Sequence, residues 1–146
     1  KRFDFSMDLY GNVGNQVYNG KRAIRINGKD NIEADLVYNR WNGPANPSQA
    51  QPKANTGNLL ASDYFIESGD YLRINNLTIG YSLPENLLKK VKVTNARIFL
   101  TSQNLLTLKK YSGFTSELPG GPLDSGIELN TYPTTRTFAL GLNVNF

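Results

Sequence analysis

The sequence predicts an all-β fold in which four long antiparallel strands form part of a large transmembrane β-barrel. Three observations favour this fold class. Apolar and polar residues alternate at both ends of the chain, the connections between strands differ greatly in length, and turn-forming residues are frequent, with 13 Gly and 7 Pro among 146 residues. Alternation with a period of two is typical of a strand with one apolar face. Long connections of this kind are not typical of a small compact domain.

The first strand is expected over residues 3–13. Phe3, Phe5 and Leu9 fall on one face of this strand and are predicted to contact lipid, whereas Asp4 and Asp8 fall on the other. Two carboxylates would be costly in a packed core. The face that carries them is therefore expected to meet water and to line the lumen of a barrel.

The second strand is expected over residues 71–82. The parity of the alternation changes near Asn75–Asn76, because Leu72 and Ile74 are out of step with the apolar residues that follow. We interpret this change as a β-bulge or as the boundary of the membrane. The residues of this strand predicted to face lipid are Leu77, Ile79 and Tyr81.

The third and fourth strands are expected over residues 95–104 and at the C-terminus. In the third strand both faces carry apolar residues, and we expect Ile98 and Leu100 to point outward. The fourth strand alternates strictly over residues 136–146. Its residues predicted to face lipid are Phe138, Leu140, Leu142 and Val144.

The connections also favour a barrel of the outer-membrane type. The connection over 83–94 is short, whereas those over 15–68 and 105–134 are long and rich in Asn, Gly and Pro. Barrels of this class have short turns at one end and long extracellular loops at the other. The first long connection is expected to contain a short helix over 31–39, with Asp30 as its N-cap.

Length is consistent with a membrane crossing. Eleven residues at a rise of about 3.3 Å, tilted by about 40°, span roughly 28 Å vertically. Four strands cannot close a barrel, since the smallest closed barrels have about eight. The chain opens within a strand-like pattern at Lys1-Arg2. We therefore expect a piece of a larger barrel.

The composition excludes several kinds of chemistry. There is no His and no Cys, so the chain has neither a Ser-His-Asp triad nor a thiolate nucleophile. The net charge of +4 is spread along the chain, which does not favour nucleic-acid binding. The neighbouring acids Glu67 and Asp70, or Glu33 and Asp35, lie in loops and do not suggest catalysis. We expect no enzyme activity, no catalytic residue, no metal and no cofactor.

Three motifs carry a resemblance to a known family. They extend over residues 64–84 (YFIESGDYLRINNLTIGYSLP), 97–107 (RIFLTSQNLLT) and 132–146 (YPTTRTFALGLNVNF). Together they resemble the C-terminal region of the SusC/RagA-type TonB-dependent outer-membrane transporters of Bacteroidetes. The likeness covers most of the chain, in order.

The resemblance implies that residues 1–146 are the C-terminal part of a receptor barrel of about 22 strands with a plug inside, and include its last four strands. It implies uptake of oligosaccharide or peptide, with a SusD-type surface lipoprotein as a lid. It also implies that the plug and the N-terminal strands are absent from this chain, and that the TonB complex would contact that missing N-terminal part. The terminal Phe146 resembles the aromatic residue that the barrel-assembly machinery reads, and could alternatively anchor the strand end at the lipid interface.

Aromatic residues in the long connections are candidates for contact with substrate or with the lid protein. A sugar ring has an apolar face that Trp and Tyr match. The alternative is that these rings only order the loops. The candidates are Tyr38, Trp41, Tyr64, Tyr111, Phe114 and Tyr132.

A rival interpretation is a soluble secreted β-sandwich that binds carbohydrate through aromatic loops. The acids on the polar face of the first strand and the run of motifs argue against it. A fragment of a glycan-degrading enzyme is a third alternative, but a convincing pair of catalytic acids is missing.

Overall fold

The computed structural model describes residues 2–26, 31–48, 51–53, 62–121 and 126–146, with the side chain of residue 91 excepted. They divide into two compact units. The first consists of Lys1–Asn15, Gly69–Ser116 and Tyr132–Phe146, and the second of Gln16–Ser68 and Glu117–Thr131.

The elements are short except for four strands. In chain order they are β1 (Phe3–Asn12), β2 (Gln16–Asn19), α1 (Gly20–Arg25), α2 (Ala34–Tyr38), β3 (Ile66–Ser68), β4 (Tyr71–Ser82), α3 (Glu85–Leu88), β5 (Asn95–Lys109), β6 (Ile127–Glu128) and β7 (Thr137–Asn145), with single 3₁₀ turns at Asp63–Phe65 and Lys89–Val91. No helix in the described ranges is both long and apolar enough to cross a membrane.

The first unit is one antiparallel sheet in the order β1-β4-β5-β7, which confirms the four predicted strands. Because each pair is in register, apolar residues form rows across the sheet. One row consists of Phe3, Tyr81, Ile98 and Leu142. Within it the rings of Phe3 and Tyr81 lie 4.7 Å apart, centroid to centroid.

A β-bulge explains the change of parity in β4. The register shifts at Asn75, which has no partner on either neighbouring strand, since Asn76 pairs with Asp8 and Ile74 pairs with Leu9. The extra residue returns Ile74 to the apolar side. Of the two interpretations given from the sequence, the structure therefore shows the bulge.

The third long strand, β5, extends five residues beyond the predicted end at 104. Asn104 has a left-handed backbone, with φ of 51°, and lies in the same bulge. Beyond it Leu106 pairs with Ile74 and Leu108 with Leu72. Residues 105–109 are thus strand, and the expectation that the loop begins at 105 was wrong.

The second unit has a small sheet of its own, which the sequence did not predict. Strand β2 pairs antiparallel with β3 and parallel with β6. Val17, Ile26, Leu36 and Phe65 are buried in this unit. The long connection over 15–68 is therefore partly folded around an apolar core.

The helix expected over 31–39 is shorter than predicted. It is α2, which begins at Ala34 and has Glu33 as N-cap without a side-chain capping hydrogen bond. The predicted cap, Asp30, lies outside the described residues. Leu36 is the buried residue of α2, so this short helix contributes one apolar side chain to the core of the second unit.

Candidate functional site

The first unit carries an exposed apolar face. We define this apolar face by Phe3, Phe5, Met7, Leu9, Leu77, Ile79, Tyr81, Ile98, Leu100, Phe138, Leu140, Leu142 and Val144. Phe3 is 73% exposed and Leu140 is 78% exposed, whereas Leu77 and Tyr81 are half-buried. An exposed apolar surface that extends across four strands indicates contact with another apolar phase or with a binding partner.

The opposite, polar face of the sheet is crossed by an ion pair. Arg97 Nε donates to Asp4 Oδ1 at 3.0 Å, and Nη2 contacts Oδ2. The guanidinium also lies 5.0 Å from the ring centroid of Phe99. Asp4, which was expected to be a water-facing wall residue, thus has a fixed cationic partner on β5.

The polar face continues through hydrogen bonds between neighbouring strands. Asn76 donates to the Asp8 carboxylate at 3.1 Å, and the hydroxyls of Thr78 and Thr101 are 2.9 Å apart. These contacts connect β1 to β4 and β4 to β5. A neutral hydrogen bond such as that of the two hydroxyls is worth about 0.5–1.5 kcal/mol net, so each contact is a modest one.

Arg73 is the most buried charged side chain of the first unit, at 2% exposure. Its three nitrogens donate to hydroxyls: Nε to Thr107 at 2.9 Å, Nη1 to Tyr10 at 3.1 Å and Nη2 to Thr115 at 3.4 Å. The ring centroid of Tyr71 lies 5.7 Å from the guanidinium. Arg73 therefore joins β1, β4, β5 and the segment that follows β5.

The sequence analysis did not identify Arg73, because the bulge changes the face of β4 on which this residue lies. Counted from Leu77 without the bulge, Arg73 falls with the apolar residues. In the structure Tyr10, Arg73 and Thr107 form one cross-strand row on the polar face. The signal that could have found it is an arginine between two apolar residues, Leu72 and Ile74. Such an arginine requires polar partners when it is buried.

Three of the six aromatic candidates lie in the first unit. Phe114 is 60% exposed and Tyr132 is 82% exposed, so both rings are accessible. Tyr111 is 1% exposed, and Lys109 donates to its backbone carbonyl at 2.8 Å. The Tyr111 ring is packed inside the protein, which favours the alternative that this ring orders its loop.

The other three candidates lie in the second unit. Tyr38 is 80% exposed, and Trp41 is half-buried. Tyr64 accepts a hydrogen bond from Arg22 at 3.3 Å, and its hydroxyl donates to Gln51. The Tyr64 ring also packs edge-on against Phe65, at 5.1 Å between centroids. Tyr64 therefore helps to order the second unit, while part of its ring remains exposed.

A charged cluster joins α1 to the start of α2. Lys21 Nζ and Arg25 Nη1 lie 3.3 and 3.1 Å from the same oxygen, Glu33 Oε1. Burial by itself raises the pKa of Glu33. A hydrogen bond to its own backbone and the cations of Lys21 and Arg25 lower the pKa by more than burial raises it, so the pKa lies below its ordinary value.

The acids considered for catalysis have structural partners. Glu67 accepts a hydrogen bond from Asn19 at 2.8 Å and lies 3.9 Å from Arg22. Asp70 accepts from the backbone of Gly14 and from Lys110. Within the part of the chain that the structure describes, no group of three acidic residues is placed to hold a metal ion.

Comparison with known proteins agrees with this geometry. TonB-dependent receptor P3 of Formosa agariphila is 31% identical over 153 residues, and TonB-dependent receptor SusC of Bacteroides thetaiotaomicron is 33% identical over 150. Each match covers 100% of this chain, and 15% and 14% of the relative. The chain thus spans about 15% of the length of these curated relatives. No protein-family model matches it.

Solved structures give the same result. The RagAB peptide transporter is 28% identical with a TM-score of 0.82, and the RagAB peptide importer in its closed-closed state is 27% identical with a TM-score of 0.80. Each match covers 100% of this chain and 16% of the other. The sheet is therefore part of the wall of a membrane β-barrel. The chain belongs to the SusC/RagA-type TonB-dependent receptors of the outer membrane, which confirms the resemblance.

Proposed function

We propose that this chain is the C-terminal wall segment of a TonB-dependent importer that takes up oligosaccharide or peptide. The observation that carries the proposal is the contrast between the two faces of one sheet. The apolar face is exposed in rows across all four strands, and the polar face is hydrogen-bonded. A soluble β-sandwich would bury such an apolar face.

In this proposal the apolar face contacts outer-membrane lipid and the polar face lines the lumen. The chain performs no bond-making chemistry, and the TonB complex acts on a part of the protein outside this segment. Phe146, which is 92% exposed beyond the end of β7, is the residue that the barrel-assembly machinery reads. Lipid contact is assigned to Phe3, Phe5, Leu9, Leu77, Ile79, Tyr81, Phe138, Leu140, Leu142 and Val144.

The second unit provides surface for substrate and for a SusD-type lipoprotein, and so do the exposed loop rings of the first unit. Peptide is the cargo of one matched structure, the RagAB peptide transporter, and oligosaccharide is the alternative that the resemblance to SusC-type transporters implies. The rings that fit this role are accessible or partly accessible. They are Tyr38, Trp41, Tyr64, Phe114 and Tyr132.

The assignment of the faces is tested by placing the same charge on each. In the full-length protein, Leu140→Arg puts a cation on the apolar face, and Asn143→Arg puts one on the polar face three residues away. Arg on a lipid-facing position costs about 2–4 kcal/mol near the bilayer midplane. We expect Leu140→Arg to reduce the folded, heat-modifiable barrel in outer-membrane fractions, and Asn143→Arg to leave it near the wild-type level. Equal yields for the two variants would overturn the proposal.

A further inference from the structure

An open cavity of about 390 Å³ lies in the second unit, beside α1. It is lined by Lys21, Ile24, Arg25, Asn31, Leu129 and Asn130. The spacing of the three helical residues puts them on one side of α1. Ile24 and Leu129 are each more than half exposed, so the cavity has accessible apolar walls.

A glycine fixes the position of one wall. A Cβ at Gly20 would lie only 2.8 Å from the backbone oxygen of Glu128 and from Cδ2 of Leu129. The first turn of α1 therefore packs directly on the end of β6. Glu128 is buried and accepts a hydrogen bond from the backbone of Thr131 at 2.8 Å, which holds the turn containing Leu129 and Asn130. The side of the cavity formed by Leu129 and Asn130 is thus held in place.

The charged side chains among the described residues that line the cavity are both cations, Lys21 and Arg25. Both contact the same oxygen of Glu33, Oε1, so two cations face this one carboxylate. The contact with Glu33 uses Arg25 Nη1, and a guanidinium has five N–H donors in a planar fork that matches a carboxylate. The side chain of Arg25 is 38% exposed, so a ligand can reach it.

The remaining lining suits a ligand that is partly apolar. The amides of Asn31 and Asn130 offer both donors and acceptors, and the Ile24 and Leu129 side chains offer aliphatic contact. Binding pockets commonly combine apolar walls with a few fixed polar groups. Together these groups match an organic carboxylate attached to a hydrogen-bonding, partly apolar body.

We propose that this cavity is a carboxylate-binding subsite, in which Arg25 and Lys21 hold the anion and Glu33 limits its affinity. This inference rests on the proposed function, because it makes the ligand a cargo molecule of the importer. The carboxylate can come from the C-terminus of a peptide or from a uronic acid. Both sources present the same anion to Arg25.

The test is calorimetric binding to the purified full-length protein in complex with its lipoprotein partner. Four probes form two matched pairs: N-acetyl-trileucine and its C-terminal amide, and trigalacturonate and galactotriose. We expect the acid of one pair to bind about tenfold more tightly than its neutral counterpart, as one charge-assisted contact provides. The pair that responds identifies the source.

Two variants are expected to change the affinity for the acid in opposite directions, and a merely structural role of the two residues would not produce this result. Arg25→Gln is expected to reduce affinity for the acid about tenfold and to leave the neutral probe unchanged. Glu33→Gln removes the competing anion and is expected to raise affinity for the acid several-fold. Lys89→Gln, on the turn after α3 in the first unit, is the matched control because Lys89 is an exposed lysine remote in sequence from the cavity.

Failure of this inference differs from failure of the proposed function. If neither acid binds more tightly than its neutral counterpart, or if Arg25→Gln and Glu33→Gln both leave acid binding unchanged, the subsite is overturned. Uptake of labelled cargo by cells, measured in parallel, reports on the importer itself. Intact uptake with no carboxylate preference would refute only the subsite.

Discussion

The guanidinium of Arg97 on β5 reaches across β4 to the carboxylate of Asp4 on β1, and Gly80 lies beneath the pair. Neighbouring strands lie about 4.8 Å apart, so the two partners are separated by about two strand spacings. A Cβ at Gly80 would collide with Arg97 Nη2 and with both carboxylate oxygens of Asp4. The absence of a side chain at Gly80 is therefore what lets this ion pair lie flat on the polar face.

Gly80→Val is expected to destabilise the barrel more than Asp4→Asn. The valine forces the ion pair apart and crowds the face, at a cost of about 1–3 kcal/mol. Asp4→Asn removes only a solvent-exposed ion pair, and exposed pairs contribute little to stability. Thermal unfolding of the detergent-purified full-length protein measures both. A larger effect of Asp4→Asn would show that the charge, and not the space above Gly80, governs stability.

The ring of Phe99 covers Gly141 in a similar way. A Cβ at Gly141 would collide with the Phe99 ring. We expect Gly141→Ala to destabilise the protein in the wild-type background and to have a smaller effect when Phe99 is already alanine. A double-mutant cycle measures this coupling, expected at about 0.5–3 kcal/mol. Additive effects would mean that the ring moves aside without cost.

Arg73→Met is expected to loosen the segment after β5. The variant removes donors to Tyr10, Thr107 and Thr115 and leaves the buried Thr115 hydroxyl with fewer partners, at a cost of about 1–3 kcal/mol. Arg73→Lys keeps the charge and loses the fork, so it should be intermediate. Hydrogen exchange of a peptide covering 111–116 measures the effect. Arg97→Met is the control, since it should not change exchange in this peptide.

The second unit should respond to acid through Glu33. Its pKa lies below the ordinary value of 4.5, so the ionised form is favoured by folding. The stabilisation is fully present above pH 4.5 and is lost as the pH falls through the lowered pKa. We expect hydrogen exchange in a peptide covering α1 to increase over that range relative to its intrinsic rate.

Glu33→Gln supplies the control for this pH dependence. The amide cannot titrate, so the variant should show faster exchange in α1 at neutral pH and little further change on acidification. Equal pH responses of the wild-type protein and Glu33→Gln would assign the effect to other carboxylates.

The sequence was sufficient to predict the sheet because a strand with one apolar and one polar face alternates with a period of two. Alternation at Phe3–Leu9 and at Phe138–Val144 follows directly from one apolar and one polar surface. The polar face was less predictable, since Gly80 and Gly141 matter because side chains of neighbouring strands occupy the space where their own Cβ would lie. Arg73 was concealed by a bulge whose position depends on pairing with two other strands. Tyr111 looked like any loop aromatic, and only tertiary packing distinguishes it from Phe114.

Phe146 offers a way to separate assembly from stability. It is 92% exposed and follows the last residue of β7, so it makes few contacts within the described structure. If it is the residue that the assembly machinery reads, deletion should lower the amount of full-length protein in the outer membrane several-fold. The thermal stability of the protein that does assemble should remain close to that of the wild type. Phe146→Tyr keeps an aromatic ring and should restore the level. A deletion that leaves the level unchanged but lowers the thermal stability would instead support the role of an interface anchor.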